Sequence, residues 1–501
     1  MQQPAVAQDT TGSADGLPIT ILIFGASGDL THRKLIPAIY NLFRKGRLPD
    51  NFNVIGMSRT AFSHDDFRKR GQDGVKEFAT DTYRDDVWEK FAPHVWYHPG
   101  NSEKPEDYQT LDQFAGTLEK GPANRLFYMS VAPSLYEPII DNLQHLNQQH
   151  HDGGWRRFVI EKPFGTDYAT ARALNERIHN VFNEDQVFRI DHYLGKETSQ
   201  NILFFRFANA IFEPIWNYKY VDHIQVTVAE NVDVGTRAGY YEQSGVVRDM
   251  IQNHLLQLLA LTTMEPPSSF NADSLRNEKV KVLTSIQPIK LDDAVHARYE
   301  GYETTPDVAP NSKTPTYAAL KLYIDNWRWH GVPIYLRSGK ALKTKLSEVN
   351  VHFQLPPHLM FSFPEGKTLS PNVISIRIQP DEGIHLKFEA KIPGTVQDTR
   401  PVEMEFKYSD YFGKGALPDA YERLILDAIH GDAALFTRND EIETAWKLID
   451  PILKAWEAPD APTMPTYPRG SWGPKESDAL LARDGRRWGH DYDLHEGAHG
   501  G

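Results

Sequence analysis

Between positions 189 and 197 the chain carries Arg189, Asp191, His192, Tyr193, Lys196 and Glu197, so a guanidinium, two carboxylates, an imidazole, a phenol and an ammonium share one short segment. An apolar stretch precedes this segment and a helical pattern follows it, which makes it a strand-to-helix junction. Open α/β folds place ligands at the carboxyl ends of their strands, and the first turn of a helix offers unpaired N–H groups to an anion. The set suits a phosphorylated, hydroxylated molecule. Taken by itself, it reads equally well as a solvated charged turn.

A second constellation lies in a strongly helical apolar stretch, 246–263, where Asp249, Gln252, Asn253, His254 and Gln257 interrupt the buried pattern. A lone histidine in such a helix is ordinarily a satisfied core residue. Several buried polar groups together need partners, and a ligand can be one of them. At 3.6 residues per turn, Asp249 and His254 point about 140° apart. The carboxylate that orients His254 must then come from elsewhere, and Asp191 is the best candidate. A His–Asp pair of this kind fixes the tautomer and stabilises the imidazolium formed on proton transfer.

The third set is Gly25-Ala26-Ser27-Gly28-Asp29-Leu30-Thr31, between an apolar strand at 20–24 and a helical pattern at 33–44. Strand, glycine turn and helix in this order form the pyrophosphate cradle of a dinucleotide fold, here with G-x-x-G spacing. The Gly-Lys-Ser/Thr ending of a P-loop is missing, and an ordinary β–α turn remains the other reading. The next strand ends in Ser58-Arg59-Thr60, with no acid to meet a ribose hydroxyl. A hydroxyl and a guanidinium there favour NADP over NAD through charge-assisted hydrogen bonds to the 2′-phosphate. Lys162, in Glu161-Lys162-Pro163-Phe164-Gly165, ends a further strand where it can reach both cofactor and substrate. The Lys162–Pro163 bond sits in a tight turn and is expected to be cis.

The elements that must position these residues follow from the hydrophobic pattern. Apolar strands at 20–24, 54–57, 126–131, 158–160 and 187–190 alternate with helical stretches, the signature of a doubly wound parallel sheet. From about 349 the apolar residues fall at every second position, as in Ile374/Ile376/Ile378 and Val402/Met404/Phe406, which predicts a mainly antiparallel sheet. Helices are expected at 246–263, 418–430 and 440–456, and loops at 265–274 and 302–316. The expected fold is an N-terminal Rossmann-like α/β dinucleotide-binding domain, 17–195, followed by a larger α+β substrate and dimerisation domain, 196–485. Flexible tails are expected at 1–16 and 486–501.

Composition narrows the chemistry. The 501 residues include no cysteine, which removes disulfides, thiolate zinc sites and cysteine nucleophiles. A net charge of −13 disfavours a broad nucleic-acid surface, so an anionic substrate needs local clusters such as Arg33-Lys34, Lys162, Lys196 and the run 340–345. No apolar run approaches the roughly 18 residues of a membrane span, and the N-terminus lacks the pattern of a secretory signal. No metal site is expected; His490, His495 and His499 lie in a Gly-rich tail without a scaffold to fix their geometry.

These motifs, with Leu336-Arg337-Ser338-Gly339-Lys340-Ala341-Leu342, Leu417-Pro418-Asp419-Ala420-Tyr421-Glu422-Arg423-Leu424 and Gly470-Ser471-Trp472-Gly473-Pro474, resemble the bacterial glucose-6-phosphate 1-dehydrogenases in unbroken order over about 18–474. The resemblance implies that His254 takes the proton from the C1 hydroxyl and that Asp191 pairs with it. It implies that His192, Tyr193 and Lys196 hold the 6-phosphate, that Lys162 bridges substrate and nicotinamide, and that Glu230 and Asp249 bind sugar hydroxyls. Lys340 and Lys345 would complete the pocket, Lys345 standing where some members carry Arg. Arg59 matches the family's 2′-phosphate contact, beside Ser58 and the loop of Gly25, Ala26, Ser27, Gly28, Asp29 and Leu30. Thr31 departs from a common Ala.

The implied reaction is oxidation of D-glucose 6-phosphate to 6-phospho-D-glucono-1,5-lactone with NADP, NAD being the weaker alternative. It is the first step of the oxidative pentose phosphate pathway. A cytoplasmic homodimer or homotetramer is also implied. The competing expectations are a dehydrogenase of another hexose 6-phosphate and a catalytically silent NADP- or sugar-phosphate-sensing homologue.

Overall fold

The computed structural model describes residues 16–149, 153–360, 369–413, 415–461 and 463–489. Six strands of the first half, β1 (Ile19–Phe24), β2 (Phe52–Ser58), β3 (Val95–Pro99), β4 (Asn124–Met129), β5 (Arg156–Ile160) and β6 (Val187–Ile190), pair in parallel in the order β6-β5-β4-β1-β2-β3. Helices link them, and β1, β4 and β6 are buried along their whole length, as a sheet covered on both faces requires. The strand order reverses between β1 and β4, so a crevice opens beyond their carboxyl ends. The reading of short apolar strands missed β3, whose sequence VWYHP runs into His98 and Pro99 after only three apolar residues.

The second half builds a sheet from β7 (Val221–Ala229), β8 (Ala294–Tyr299), β9 (Tyr317–Tyr323), β10 (Pro333–Gly339), β11 (Leu346–Phe353), β12 (Val373–Gln379), β13 (Gly383–Lys391) and β14 (Thr399–Lys407). Its order is β14-β13-β12-β11-β7-β10-β9-β8, closed by a short later strand beside β8. Its pairings are antiparallel except β7 with β10 and that last strand with β8. The fold is thus an α/β nucleotide-binding unit joined to a mainly antiparallel α+β unit.

The division of the chain is less sequential than a cut at 195/196 suggests. β15 (Phe436–Thr437) returns to the first sheet and pairs antiparallel with β6, while β16 (Thr466–Tyr467) is the strand beside β8. The helices Ala420–His430 and Asn439–Glu457 flank β15 and pack against the helices of the nucleotide unit. The expected loop at 265–274 gives way to a helix at Ala272, where Asn271 caps the Ala272–Ser285 helix through Ser274 N.

The flexible tail expected from 486 is corrected for residues 486–489. Arg486 Nε lies 2.8 Å from Asp222 Oδ2, Trp488 is 0% exposed and donates to Ser477 Oγ, and Gly489 N donates to Gln225 Oε1. An indole fully removed from water contributes enough apolar burial to anchor a chain end. His490, His495 and His499 lie outside the described residues, as do positions 1–15.

Candidate active site

The glycine turn begins where β1 ends. Gly25 has φ +80°, and a Cβ there would meet Ser130 O at 2.0 Å, so only glycine lets the loop cross the end of β4. Gly25 N and Ala26 N both donate to Met57 O, and Gly28 N donates to Gly25 O. The helix that follows begins at Asp29, passes through a π-helical stretch, Thr31–Leu35, and continues as regular helix at Ile36–Arg44. His32 N already donates to Gly28 O, and a helix start beside a glycine loop is the place that suits a dinucleotide pyrophosphate.

At the end of β2, Arg59 is exposed and has no ion-pair partner among the described residues. Ser58 differs from expectation. Its hydroxyl is committed to Ser27 Oγ at 2.9 Å and lies 2.7 Å from the Tyr97 hydroxyl. Asp29 is turned to Arg33, 3.5 Å away.

Across the crevice, the junction after β6 and the helical stretch carrying His254 face each other. His254 Nδ1 lies 2.6 Å from Asp191 Oδ1, and the same oxygen accepts from Tyr193 N. Asp191 is 2% and His254 0% exposed, and both His254 Nε2 and Asp191 Oδ2 are buried without a hydrogen-bond partner. Burial alone would raise the Asp191 carboxyl, but His254, His192 and the bond from Tyr193 N together outweigh it and bring the carboxyl down to about 2. Burial lowers His254 from its ordinary value, and Lys162 adds to this against the pull of Asp191. The resting pair is a carboxylate and a neutral imidazole with Nε2 open to accept a proton. Asp191, His192 and His254 also offer ligand atoms within 4.8 Å of one another, but the dyad hydrogen bond already occupies two of the three residues.

The helical argument for excluding Asp249 needs correction in its premise. Residues Val247–Leu255 are π-helical, entered through a kink at Gly245 with φ +61°, and continue as regular helix at Leu256–Thr263. With i→i+5 bonding, residues five apart come onto nearly one face. Asp249 and His254 therefore both line the same cleft, although Asp191 is still the partner of His254. The apolar pattern gave no sign of this, because a π turn shifts the phase of the helix without changing its composition.

That cleft has a volume of about 700 Å³. It gathers Lys162, His192 and Tyr193 and the neighbouring Lys196 with Glu230, Lys340 and Lys345 from farther along the chain. Lys162 Nζ donates to Asp249 Oδ1 at 3.0 Å and to Asp249 O at 2.8 Å, and the Lys162–Pro163 bond is cis. Lys340 Nζ lies 2.5 Å from Glu230 Oε2. Lys196 donates to Gln379 Oε1 and lies 4.2 Å over the Tyr193 ring. Burial and the nearby Lys345 lower the Lys196 ammonium to about 8.

Three further residues reach the cleft without having been singled out for it. Lys34, noted only as part of a basic cluster, pairs with Asp419 at 2.8 Å. Gln379, at the end of β12, donates to the Tyr193 hydroxyl at 3.2 Å. Tyr421 hydrogen-bonds Glu161, whose carboxyl is also held by Tyr128 OH at 2.6 Å and is pushed up to about 7 by burial. No local spacing links these positions to the rest; topology brings them together.

Models of two protein domains cover nearly the whole chain: the glucose-6-phosphate dehydrogenase NAD-binding domain matches residues 22–201, and the glucose-6-phosphate dehydrogenase C-terminal domain matches residues 203–489. The chain belongs to the glucose-6-phosphate dehydrogenase family. Among glucose-6-phosphate 1-dehydrogenases, that of Chlamydia muridarum is 44% identical over 492 residues, covering 94% of this chain and 96% of the relative. That of Bacillus subtilis is 42% identical over 486 residues, covering 93% and 97%. A solved structure of glucose-6-phosphate dehydrogenase in complex with its substrate glucose-6-phosphate superposes with a TM-score of 0.87 at 38% identity, covering 94% of this chain and 98% of that one. Membership of the glucose-6-phosphate dehydrogenase family accounts for both units and their order along the chain. Among the described residues, no helix is long and apolar enough to cross a membrane.

Proposed function

We propose that the chain oxidises D-glucose 6-phosphate at C1 to 6-phospho-D-glucono-1,5-lactone, the first step of the oxidative pentose phosphate pathway, with NADP as the preferred hydride acceptor. The observation that carries the mechanism is His254 Nε2, buried and unpartnered beside a lysine-lined cleft while Nδ1 is fixed by Asp191. His254 accepts the proton of the C1 hydroxyl through Nε2, and Asp191 stabilises the imidazolium that forms. A nicotinamide held beside Lys162 would supply the acceptor for the hydride of C1.

His192, Tyr193 and Lys196 grip the 6-phosphate from the helix start after β6, with Lys345 across the cleft. Glu230 and Asp249 receive sugar hydroxyls, each already beside a lysine, Lys340 and Lys162 respectively. The loop 25–30 and the helix start it leads into hold the pyrophosphate, and Arg59 meets the 2′-phosphate; Ser58 supports this turn through Ser27 and Tyr97.

The edge strand β14 and the helix after it leave Met404, Tyr411 and Phe412 exposed, an apolar surface suited to a second copy in a cytoplasmic homodimer or homotetramer. Light scattering on the purified protein tests that part.

The activity is tested by following NADPH absorbance with glucose 6-phosphate, galactose 6-phosphate or free glucose, and NADP or NAD. Reduction of NADP is expected with glucose 6-phosphate and little with free glucose. No reduction with either cofactor would return the silent-homologue reading.

A further inference from the structure

The residue next to the cofactor site that no role above accounts for is Tyr97 on β3. It is 2% exposed, and its ring packs on Phe62 and Phe67 at centroid distances of 5.4 and 5.1 Å. Its hydroxyl lies 2.7 Å from Ser58 Oγ, 2.7 Å from Thr60 O and 3.2 Å from Ser58 O. These atoms flank Arg59 on both sides. One buried hydroxyl therefore fixes the two ends of the turn on which the exposed guanidinium stands, and through Ser58 Oγ it reaches Ser27 of the glycine loop.

We propose that Tyr97 is a positioning residue for the cofactor's 2′-phosphate, pre-setting the 58–60 turn so that Arg59 meets the phosphate without ordering it on binding. A guanidinium on a loose turn loses backbone as well as side-chain freedom when it captures a phosphate, and pre-organisation removes the backbone part. The neighbouring β2 strand is itself held close to the loop: a Cβ at Gly56 would lie 2.7 Å from Ala26 Cβ and 2.6 Å from the Phe67 ring. The inference rests on the reading of Arg59 given above.

Tyr97→Phe isolates the hydroxyl. The ring contacts survive, Thr60 O keeps the bond from Phe62 N, and Ser58 O keeps the bond from Gly100 N, so no carbonyl is orphaned and the fold is retained. Initial-rate kinetics with NADP and with NAD are then compared in the wild-type chain, Tyr97→Phe, Arg59→Ala and the double variant.

Loss of hydrogen bonds of this kind predicts a rise in KM for NADP of about three- to tenfold in Tyr97→Phe, with KM for NAD moving less than about twofold. In the Arg59→Ala background the Tyr97 substitution has no further effect on NADP, because the group it positions is gone. Equal rises for both cofactors, or an undiminished effect in the Arg59→Ala background, would overturn the proposal while leaving Arg59 in place. An unchanged KM for NADP in Arg59→Ala alone would overturn the 2′-phosphate reading, and the proposal with it.

Discussion

Asp191 Oδ1 and His254 Nδ1 stand 2.6 Å apart although one residue directly follows a strand of the nucleotide sheet and the other lies in a π-helical segment of the second unit. The pair is therefore also a clamp between the two units, and its geometry depends on how they sit together. Its outward nitrogen, Nε2, is the group with work left to do.

Replacing that nitrogen tests the assignment directly. His254→Asn is expected to lower kcat by about 10² to 10⁴, the range of a positioned general base, while substrate and cofactor binding are largely kept. Steady-state kinetics with glucose 6-phosphate give the answer, and a variant that keeps a tenth of wild-type turnover would remove His254 from the role of base.

The acid limb of the rate profile should report the same group. His254 is held below its ordinary value of 6.5, so the neutral, proton-accepting form persists to lower pH than a free imidazole allows. Activity is lost as pH falls through that lowered value, so the acid limb of kcat/KM should have its midpoint below 6.5. A decline centred above 6.5 would contradict the burial argument.

Lys196 predicts a change at the other end of the scale. Its ammonium is lowered to about 8, so the free protein loses this charge as pH rises through that value, and KM for the sugar phosphate should climb above it. Lys196→Ala should raise that KM by roughly ten- to a hundredfold, the worth of a charged hydrogen bond, at all pH values below 8. A defect confined to KM for NADP would place the residue elsewhere.

Stability offers an independent check on the chain's last described turn. Trp488 is wholly buried, with its ring 4.1 Å from the Arg337 guanidinium and 6.2 Å from the Tyr335 ring. Trp488→Ala should cost about 3–5 kcal/mol in urea unfolding. A loss under about 1 kcal/mol would mean that this segment is not docked in solution.

The sequence made some of this plain and hid the rest for physical reasons. Apolar strands at 20–24 and 187–190 and alternation at 374–378 mark strands because burial on one or both faces writes itself into composition. Asp191, His192 and Lys196 were visible as chemistry because they crowd one junction. Lys34, Gln379 and Tyr421 were not, since each looks ordinary beside its own neighbours and meets the others only through the sheet order. The π-helical phase at 247–255 and the hydroxyl of Tyr97 were equally silent. Neither hydrogen-bond register nor a buried tyrosine's partner can be read from local pattern.

β15 carries a consequence for how the molecule is made. Phe436 and Thr437 cover the open side of β6 beside Ile190 and Arg189, one residue before Asp191. During translation the nucleotide sheet emerges with that side bare, and it stays so until nearly half the chain has followed. A nascent chain halted before 436 leaves β6 as an unpaired edge, the kind of surface that invites aggregation and chaperone capture. A fragment ending at 195 is for the same reason not a free-standing module but a sheet missing its last strand.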